Sequence, residues 1–303
     1  MKHFIITVDT EGDNLWDYRQ GNMIATNNSR FIPRFQELCE SYGFKPVYLT
    51  NYEMINSDHF VNYIKPKIQN KLCEVGIHVH AWNNPPFYEL GSKYNGNPFL
   101  IEYPNDIMIK KFKCTYDLIK SRLGIEPISH RAGRWMMNDE YFDILNKFKV
   151  KVDCSYTPHV DWSRTYGQTL LGLDYSNVFE KEHWVKGVLE MPMSIRKLHH
   201  ILDGSFKHKI KTFLIGDIVW LRPATHTLAE MIKLVDSINL EENTNYIEMM
   251  IHSSELMPGG SPYFKNDLSI ESLFRTMDKL FKHIALLDYK GCTLADYYHL
   301  KIE

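Results

Sequence analysis

The chain has 303 residues, of which 44% are apolar and 24% charged, as is typical of a soluble globular protein. Its formal net charge of −2 gives no electrostatic reason to expect a nucleic acid or an anionic membrane as a partner. No apolar run is long enough to span a bilayer, and the first residues lack the pattern of a signal peptide. Five cysteines are scattered singly, which fits reduced thiols, and we therefore expect a cytoplasmic protein.

Strands and helices alternate along the chain. Short apolar runs predict strands at 4–8, 44–50, 71–77, 127–130, 150–153, 188–192, 245–252 and 292–294. Helical periodicity predicts helices at 29–42, 58–70, 105–123, 227–238 and 269–287, with another after a cap at Asn138. The segments 81–104, 161–187 and 253–263 read as loops or irregular structure, and 194–221 is assigned only as helix or loop.

This alternation is typical of a parallel sheet with helical crossovers. The sequence has neither a recognisable linker nor an internal repeat, and we predict one domain over residues 1–303. The expected fold class is α/β, a distorted (β/α) barrel of about seven parallel strands. In such folds the functional site lies at the carboxyl ends of the strands. The polar clusters of this sequence follow predicted strand ends.

Two of these clusters have spacings that suit a metal site. Asp9 and Glu11 follow the first strand, and His78 and His80 lie where the third gives way to a loop. Side chains alternate across a strand, so each i, i+2 pair points to one side. Two imidazoles and two carboxylates at one sheet edge would supply metal ligands and a general base. The alternative for the histidine pair is two polar residues at a strand exit, bonded to backbone carbonyls.

Five motifs, in this order, resemble the polysaccharide deacetylases, the NodB-homology or carbohydrate esterase family four group. They are TVDTEGD at 7–13, EVGIHVH at 74–80, HRAGRW at 130–135, VDCSYTP at 152–158 and MMIHSS at 249–254. The resemblance covers nearly the whole chain. Each motif alone is weak, and the ordered set at strand ends carries the resemblance. The HVHAW form with two prolines resembles the WbmS-like, O-antigen deacetylase branch of surface-polysaccharide biosynthesis.

The resemblance implies roles for the first two motifs. Asp9 corresponds to the catalytic base and Glu11 to a metal ligand. His78 corresponds to the first of two metal histidines. The family's second histidine lies one turn further on, where this chain has Trp82, and His80 is the nearby substitute.

The later motifs complete the implied site. Arg131 corresponds to the arginine that holds the base, and Gly133 replaces the family's proline. Asp153 is a looser match to the fourth motif, and His252 fits the general acid. The implied cofactor is one divalent metal ion, most simply zinc, and the implied partner is a carbohydrate substrate.

The chemistry is coherent by itself. A divalent ion on one carboxylate and two imidazoles keeps positions for water and substrate, and lowers the pKa of that water. Asp9 would take the proton of the attacking water, and His252 would protonate the departing amine. Trp82, Trp135 and Tyr156 are candidates for the floor of a sugar site.

Several residues also have purely structural explanations. Asp13 is expected to cap the loop after the first strand. Glu11 could pair with Arg131 or Arg134 instead of a metal, and His252 could be a satisfied core histidine. Trp82 and Trp135 could equally be core residues.

Four histidines and two serines are assigned outside the chemistry. We expect the histidines to lie at the surface or behind the ligands, namely His130, His159, His199 and His200. Ser253 and Ser254 lack the Gly-x-Ser-x-Gly elbow, which argues against a serine hydrolase.

Three other functions remain open. The first is a metal-dependent amidohydrolase, although in that superfamily the His-x-His pair follows the first strand and here it follows the third. The second is a metal-independent cyclic-amide hydrolase of the deacetylase-like fold, which Trp82 at the histidine position keeps open. The third is a glycan-binding relative without turnover. The residues favour a metal-dependent hydrolase that removes an acetyl or other acyl group from an amino sugar or glycan precursor.

Overall fold

The structure, a computed structural model, describes residues 1–13, 15, 23–199, 216–242 and 244–303. Within these ranges the strands are β1 His3–Thr10, β2 Pro46–Thr50, β3 Glu74–Val79, β4 Ser129–Ala132, β5 Val152–Asp153, β6 His183–Val185, β7 Val188–Glu190, β8 Ile195–Leu198, β9 Asp217–Trp220, β10 Tyr246–His252 and β11 Lys290–Gly291. The α-helices are α1 Ile32–Ser41, α2 Tyr52–Asn56, α3 Asp58–Gln69, α4 Asn105–Leu123, α5 Asp139–Lys147, α6 Leu228–Asn239, α7 Asp267–Leu286 and α8 Leu294–Ile302.

Seven parallel strands form the central sheet, in the order β10-β1-β2-β3-β4-β5-β7. Strand β6 extends it as an antiparallel neighbour of β7, and β11 pairs in parallel with β1. The expected α/β fold with about seven parallel strands is confirmed. Right-handed crossovers through helices are the usual way to connect such strands.

The barrel is distorted at the gap between β10 and β7, the two end strands of the parallel series. Strands β8 and β9 form a separate antiparallel pair, and the segments beside this pair bridge the gap. The Met193 N–H donates to Tyr156 O, the Leu221 N–H to Ser194 O, and the Met250 N–H to Leu221 O. Within the described ranges, single hydrogen bonds thus join the end of β5 to β10 in place of a continuous ladder.

Strand β1 illustrates how the sheet buries both faces. Phe4, Ile6 and Val8 belong to the large apolar cluster under the helices. Ile5 belongs to the cluster inside the curled sheet. Because side chains alternate, Asp9 shares the inner face with Ile5. A charged side chain is thereby carried to the carboxyl edge on the interior side of the barrel.

Helix ends largely follow the sequence signals. Asn138 caps α5 by accepting from the Tyr141 N–H, and Gly124 ends α4 in the left-handed region with φ 74°. The range predicted for α4 is correct, but the sequence also favours Asn105 as its N-cap, and this is wrong: Pro104 is the N-cap and Asn105 is the first helical residue.

Three other assignments need correction. Helix α2 was missed. The described ends of 194–221 are strands β8 and β9, not helix or loop; residues 200–215 lie outside the described residues. The predicted strand at 292–294 is displaced to β11, and α8 begins at Leu294. Helix α2 and strands β8, β9 and β11 are short, so their sequences show too few periods to be recognised, and the strands depend on pairing partners outside their own segment.

The third strand ends later than predicted, and this matters for the site. Ile77, His78 and Val79 pair with His130, Arg131 and Ala132 of β4, so β3 includes His78. No helix in the described part of the chain has the length and apolar character needed to cross a bilayer.

Candidate active site

Strand register brings the motif residues together at one edge of the sheet. Asp9 is the register partner of His252, and His78 is the register partner of Arg131. Glu11 and His80 follow directly after β1 and β3. These side chains line one cleft of about 470 Å³, apart from Arg131, which lies behind it and is fully buried.

Glu11, His78 and His80 form a compact set of metal-type ligands. One ligand atom from each lies within 4.8 Å of the others, and all three residues are buried. Nε2 of His80 lies 2.7 Å from Oε2 of Glu11 and 3.0 Å from Nε2 of His78. Nε2 of His78 lies 3.6 Å from the same Glu11 oxygen. Tetrahedral zinc with bonds near 2.0–2.1 Å needs ligand atoms roughly 3.3 Å apart, so small side-chain shifts suffice.

The electrostatics of this set also suit a cation. Burial would raise the pKa of Glu11, but His80 and His78 hold it well below its usual value, so the carboxylate is ionised. Burial lowers the pKa of His80, which favours the neutral, ligating form. Burial also opposes protonation of His78, but Asp9 and Glu11 outweigh it and raise its pKa, so a bound cation would displace a proton there.

The orientation of His78 is fixed by the neighbouring strand. Its Nδ1 lies 2.9 Å from the Arg131 carbonyl oxygen, which can only accept, so Nδ1 carries the proton and Nε2 faces the cluster. Gly133 allows β4 to approach here, because a Cβ at Gly133 would lie 2.3 Å from Val79 O and 3.2 Å from Nδ1 of His80. The glycine where the family motif has proline therefore has a steric reason.

Asp9 is held by a buried arginine. Arg131 donates from Nη1 to Oδ1 of Asp9 at 2.5 Å, and from Nη2 to Oε1 of Glu248 at 2.5 Å and to Oγ1 of Thr7 at 2.7 Å. Burial would raise the pKa of Asp9, but Arg131, with help from His78, keeps it below its usual value. An ionised carboxylate that lines the cleft can accept a proton, as a general base must.

His252 faces the two carboxylates from the other side. Its Nε2 lies 3.9 Å from Oδ2 of Asp9 and 3.9 Å from Oε1 of Glu11. Its Nδ1 lies 3.3 Å from Nη2 of Arg222 and 3.4 Å from Oε1 of Glu255. Arginine only donates, so a neutral His252 accepts at Nδ1, whereas the imidazolium donates from Nδ1 to Glu255. In both states Nε2 carries a proton and points at the cleft.

Behind this histidine, Arg222 pairs with the fully buried Glu255. Arg222 Nη2 lies 3.0 Å from Oε1 of Glu255, whose other oxygen accepts the His252 backbone N–H at 2.9 Å. Burial would raise the pKa of Glu255, but His252 and Arg222 lower it, so the pair is charged. Sequence patterns did not indicate these two residues. If the sequence had shown β9, Arg222 would have been recognised as a residue that follows a strand end, as the other candidate site residues do.

Of the three aromatic residues predicted to contact a sugar, two line the cleft and one does not. Trp82 and Trp135 line the cleft, and the Trp82 ring lies 4.3 Å from that of His80. Tyr156 is not among the described residues that line it, and its ring packs against Tyr175 at 5.0 Å. The prediction of Tyr156 as a sugar contact is therefore not supported by its position. Trp162 lines the cleft from an irregular segment whose sequence gave no signal.

The structure also tests the purely structural explanations that were considered for Asp13 and Glu11. Asp13 caps the following loop by accepting from the backbone N–H groups of Asn27 and Asn28 at 2.9 and 2.8 Å, as expected. Glu11 bonds to His80 and is not paired with an arginine among the described residues. Arg134 donates to backbone carbonyls instead.

One histidine prediction was wrong. His130 is neither at the surface nor behind the metal-type ligands but is fully buried, with Nδ1 2.6 Å from Oδ1 of Asp153 and Nε2 2.8 Å from the hydroxyl of Tyr141. Asp153, the loose match to the fourth motif, is committed to this core pair. His159 is half-buried and pairs with Glu180 at 2.6 Å.

Of the remaining polar residues, those that the structure describes agree with expectation. His199 is exposed, and His200 lies outside the described residues. Ser253 Oγ contacts the Glu11 backbone, accepting from its N–H at 3.1 Å, and has no histidine partner in the described ranges.

Comparison with known proteins supports the fold. No family model and no curated protein matches the chain. Among solved structures, 4-alpha-glucanotransferase from Thermococcus litoralis is 12% identical with a TM-score of 0.52, covering 99% of this chain, which spans only 38% of that one.

Two further structures are similar over most of both chains. A protein named as a polysaccharide deacetylase from Mycobacterium smegmatis is 14% identical with a TM-score of 0.49, covering 97% of this chain and 94% of that one. A family 4 acetyl xylan esterase from Clostridium thermocellum, in complex with a cobalt ion, is 14% identical with a TM-score of 0.48, covering 98% and 91%. At such identities the likeness concerns the fold alone.

Proposed function

We propose that this protein is a metal-dependent hydrolase that removes an acetyl or other acyl group from an amino sugar or glycan precursor. One observation carries the proposal: a buried carboxylate and two imidazoles converge within 4.8 Å, beside an arginine-held carboxylate and a histidine in the same cleft. The resemblance of the five motifs supports a carbohydrate amide as the substrate. It also motivates a role in surface-polysaccharide biosynthesis, in the cytoplasm.

Each residue of the site has a separate role in the proposed reaction. Glu11, His78 and His80 would hold the cation, and this donor set fits zinc. When bound, a divalent ion there supplies Lewis-acid polarisation of the acyl carbonyl and lowers the pKa of water. Asp9 accepts the proton of the attacking water, while Arg131 keeps that carboxylate ionised and in position.

The departing amine needs a proton from the opposite side, because an amide anion is a poor leaving group. Nε2 of His252 is placed to donate it, since Nδ1 is directed towards Arg222 and Glu255. The tryptophans of the cleft, Trp82, Trp135 and Trp162, offer apolar faces for a sugar ring.

The substitution Asp9→Asn tests the assignment of the base. Acetate release from N-acetylated sugars by the zinc-loaded protein is expected to fall by at least about 100-fold, because the amide cannot accept a proton. The metal content should stay at the wild-type level, since Asp9 is not one of the proposed ligands. Asp288→Asn, at the exposed ion pair with Lys290, is the matched control. Full activity in Asp9→Asn would show that another group is the base.

A further inference from the structure

Arg134 and Trp135 hold an unfavourable backbone conformation at the wall of the cleft. Their φ angles are 57° and 70°, so two consecutive residues with a Cβ lie in the left-handed region. Both side chains line the cleft beside the proposed ligands. Glycine would adopt this conformation without strain. The strain is therefore found at two positions whose side chains line the proposed substrate cleft.

The charge of Arg134 is not neutralised by an acidic partner in the described part of the chain. Its Nη1 donates to the Asn97 carbonyl and its Nη2 to the Tyr166 carbonyl at 2.8 Å. The guanidinium also stacks on the Phe99 ring, 4.4 Å from its centroid. All of these contacts are to neutral groups. A partly buried cation with only neutral partners is costly unless an anion joins it.

The acidic side chain that influences Arg134 most is already committed. Glu102 accepts from the backbone N–H groups of Phe99, Gln168 and Thr169, and from the Thr169 hydroxyl. Burial lowers the pKa of Arg134 to about 10, so the side chain is still a cation at neutral pH. Two of its five N–H groups are used by the carbonyls, which leaves three donors.

We propose that the substrate carries an anionic oxygen group, a carboxylate or a phosphate, that Arg134 binds in this cleft. The inference rests on the proposed function for the identity of the scissile bond. Arginine suits both groups because its planar fork matches paired oxygens. The substrate class is then an acylated amino sugar bearing acid, such as an acylamino uronic acid or an acylamino sugar phosphate.

A purely structural role would be to brace two loops through the Asn97 and Tyr166 carbonyls. Such a role affects neutral and anionic ligands alike, whereas charge recognition changes their ratio. The test therefore compares three probes that differ in charge: N-acetylglucosamine, its 6-carboxylate (2-acetamido-2-deoxyglucuronate) and N-acetylglucosamine 1-phosphate. Dissociation constants are measured by tryptophan fluorescence on the full chain in the Asp9→Asn background, which prevents turnover.

One anionic probe is expected to bind at least about tenfold more tightly than N-acetylglucosamine, and the probe that does so identifies the carboxylate or the phosphate. Arg134→Gln, which keeps a carbonyl-bonding amide, should reduce that ratio by about tenfold or more, and Arg134→Lys should retain part of it. Arg275→Gln, at an exposed position of α7, should leave the ratio unchanged.

Equal binding of all three probes, or a ratio that survives Arg134→Gln, would overturn the inference. The proposed function is judged separately by acetate release from the wild-type protein. Release without any charge preference would leave the hydrolase intact and remove the anion site. Charge-selective binding without release from any probe would support the anion site and contradict the hydrolase.

Discussion

Arg131 sits between two carboxylates that have opposite protonation behaviour. Asp9 and Glu248 both lie 2.5 Å from its guanidinium. Asp9 also faces His78 and His252, and its pKa is lowered. Burial raises the pKa of Glu248 to about 7 against the attraction of Arg131. The Arg131 guanidinium therefore keeps Asp9, the proposed base, ionised. Glu248, in contrast, gains or loses its proton near neutral pH.

This arrangement predicts a specific pH dependence of stability. The unfolded Glu248 carboxyl ionises near 4.5 and the folded one near 7, so between these values the folded state binds more protons than the unfolded state. The Glu248 contribution to stability is therefore present below pH 4.5 and is lost as the pH rises through 7. Glu248→Gln, which mimics the protonated carboxyl, should become more stable relative to wild type across this window, by up to roughly 3 kcal/mol.

Urea unfolding at several pH values, with EDTA present so that the metal state is constant, measures this difference. Glu89→Gln, at an exposed position, provides the control and should give a flat difference. A flat difference for Glu248→Gln as well would show that Glu248 is fully ionised beside Arg131.

At the scale of elements, helix α4 anchors the loop that carries His80. Lys111 is buried, and its Nζ donates to Ala81 O at 2.8 Å and to Asn84 O at 2.7 Å. The Asn84 amide is held in turn by Thr115, whose hydroxyl donates to its Oδ1 at 3.0 Å. Burial lowers the pKa of Lys111 to about 8. The backbone after β3 is thus fixed by a side chain with no acidic partner in the described ranges.

Lys111→Met should therefore loosen the His80 loop. Two buried carbonyls lose their donor, and the free energy of unfolding should fall by about 1–3 kcal/mol. The affinity for zinc should also weaken, because the position of His80 depends on this anchor. Urea unfolding and a zinc titration measure the two effects. Lys110→Met, one residue away and exposed in an i, i+4 pair with Asp106, is the matched control. Equal behaviour of both variants would show that the anchor is dispensable.

Site residues could be predicted where their placement follows from local spacing in the sequence, and were missed where it depends on contacts between separate segments. The spacing of Asp9 with Glu11 and of His78 with His80 follows from the local period of a strand, which a single sequence displays. Arg222 enters through a four-residue strand that pairs only with a distant partner. Trp162 lies in an irregular segment. Tyr156 follows a strand like the others, but its ring packs against Tyr175 and does not line the cleft.

At the scale of the whole molecule, the parallel register of the strands brings residue pairs that are neighbours in the sequence together in one site. The order β10-β1-β2-β3-β4 places four motif-bearing strands within one continuous stretch of sheet, with β2 between β1 and β3. Its curl then lets Glu11, after β1, meet the histidines of β3 across β2. The alternation of strands and helices was sufficient to predict this class of fold. The β8–β9 pair, whose flanking segments bridge the gap in the barrel, depends on tertiary contacts, which periodicity does not report.

The central claim is that three residues of this edge hold a metal. Elemental mass spectrometry of the purified, zinc-reconstituted protein tests it most directly, with His80→Ala measured in parallel and His299→Ala, at an exposed position of α8, as the control. We expect about one ion per chain in wild type and control, and its loss in His80→Ala. Metal retained in His80→Ala would contradict the role of His80. A wild-type protein free of metal after reconstitution would contradict the claim itself, and would favour a metal-independent cyclic-amide hydrolase or a glycan-binding protein without turnover.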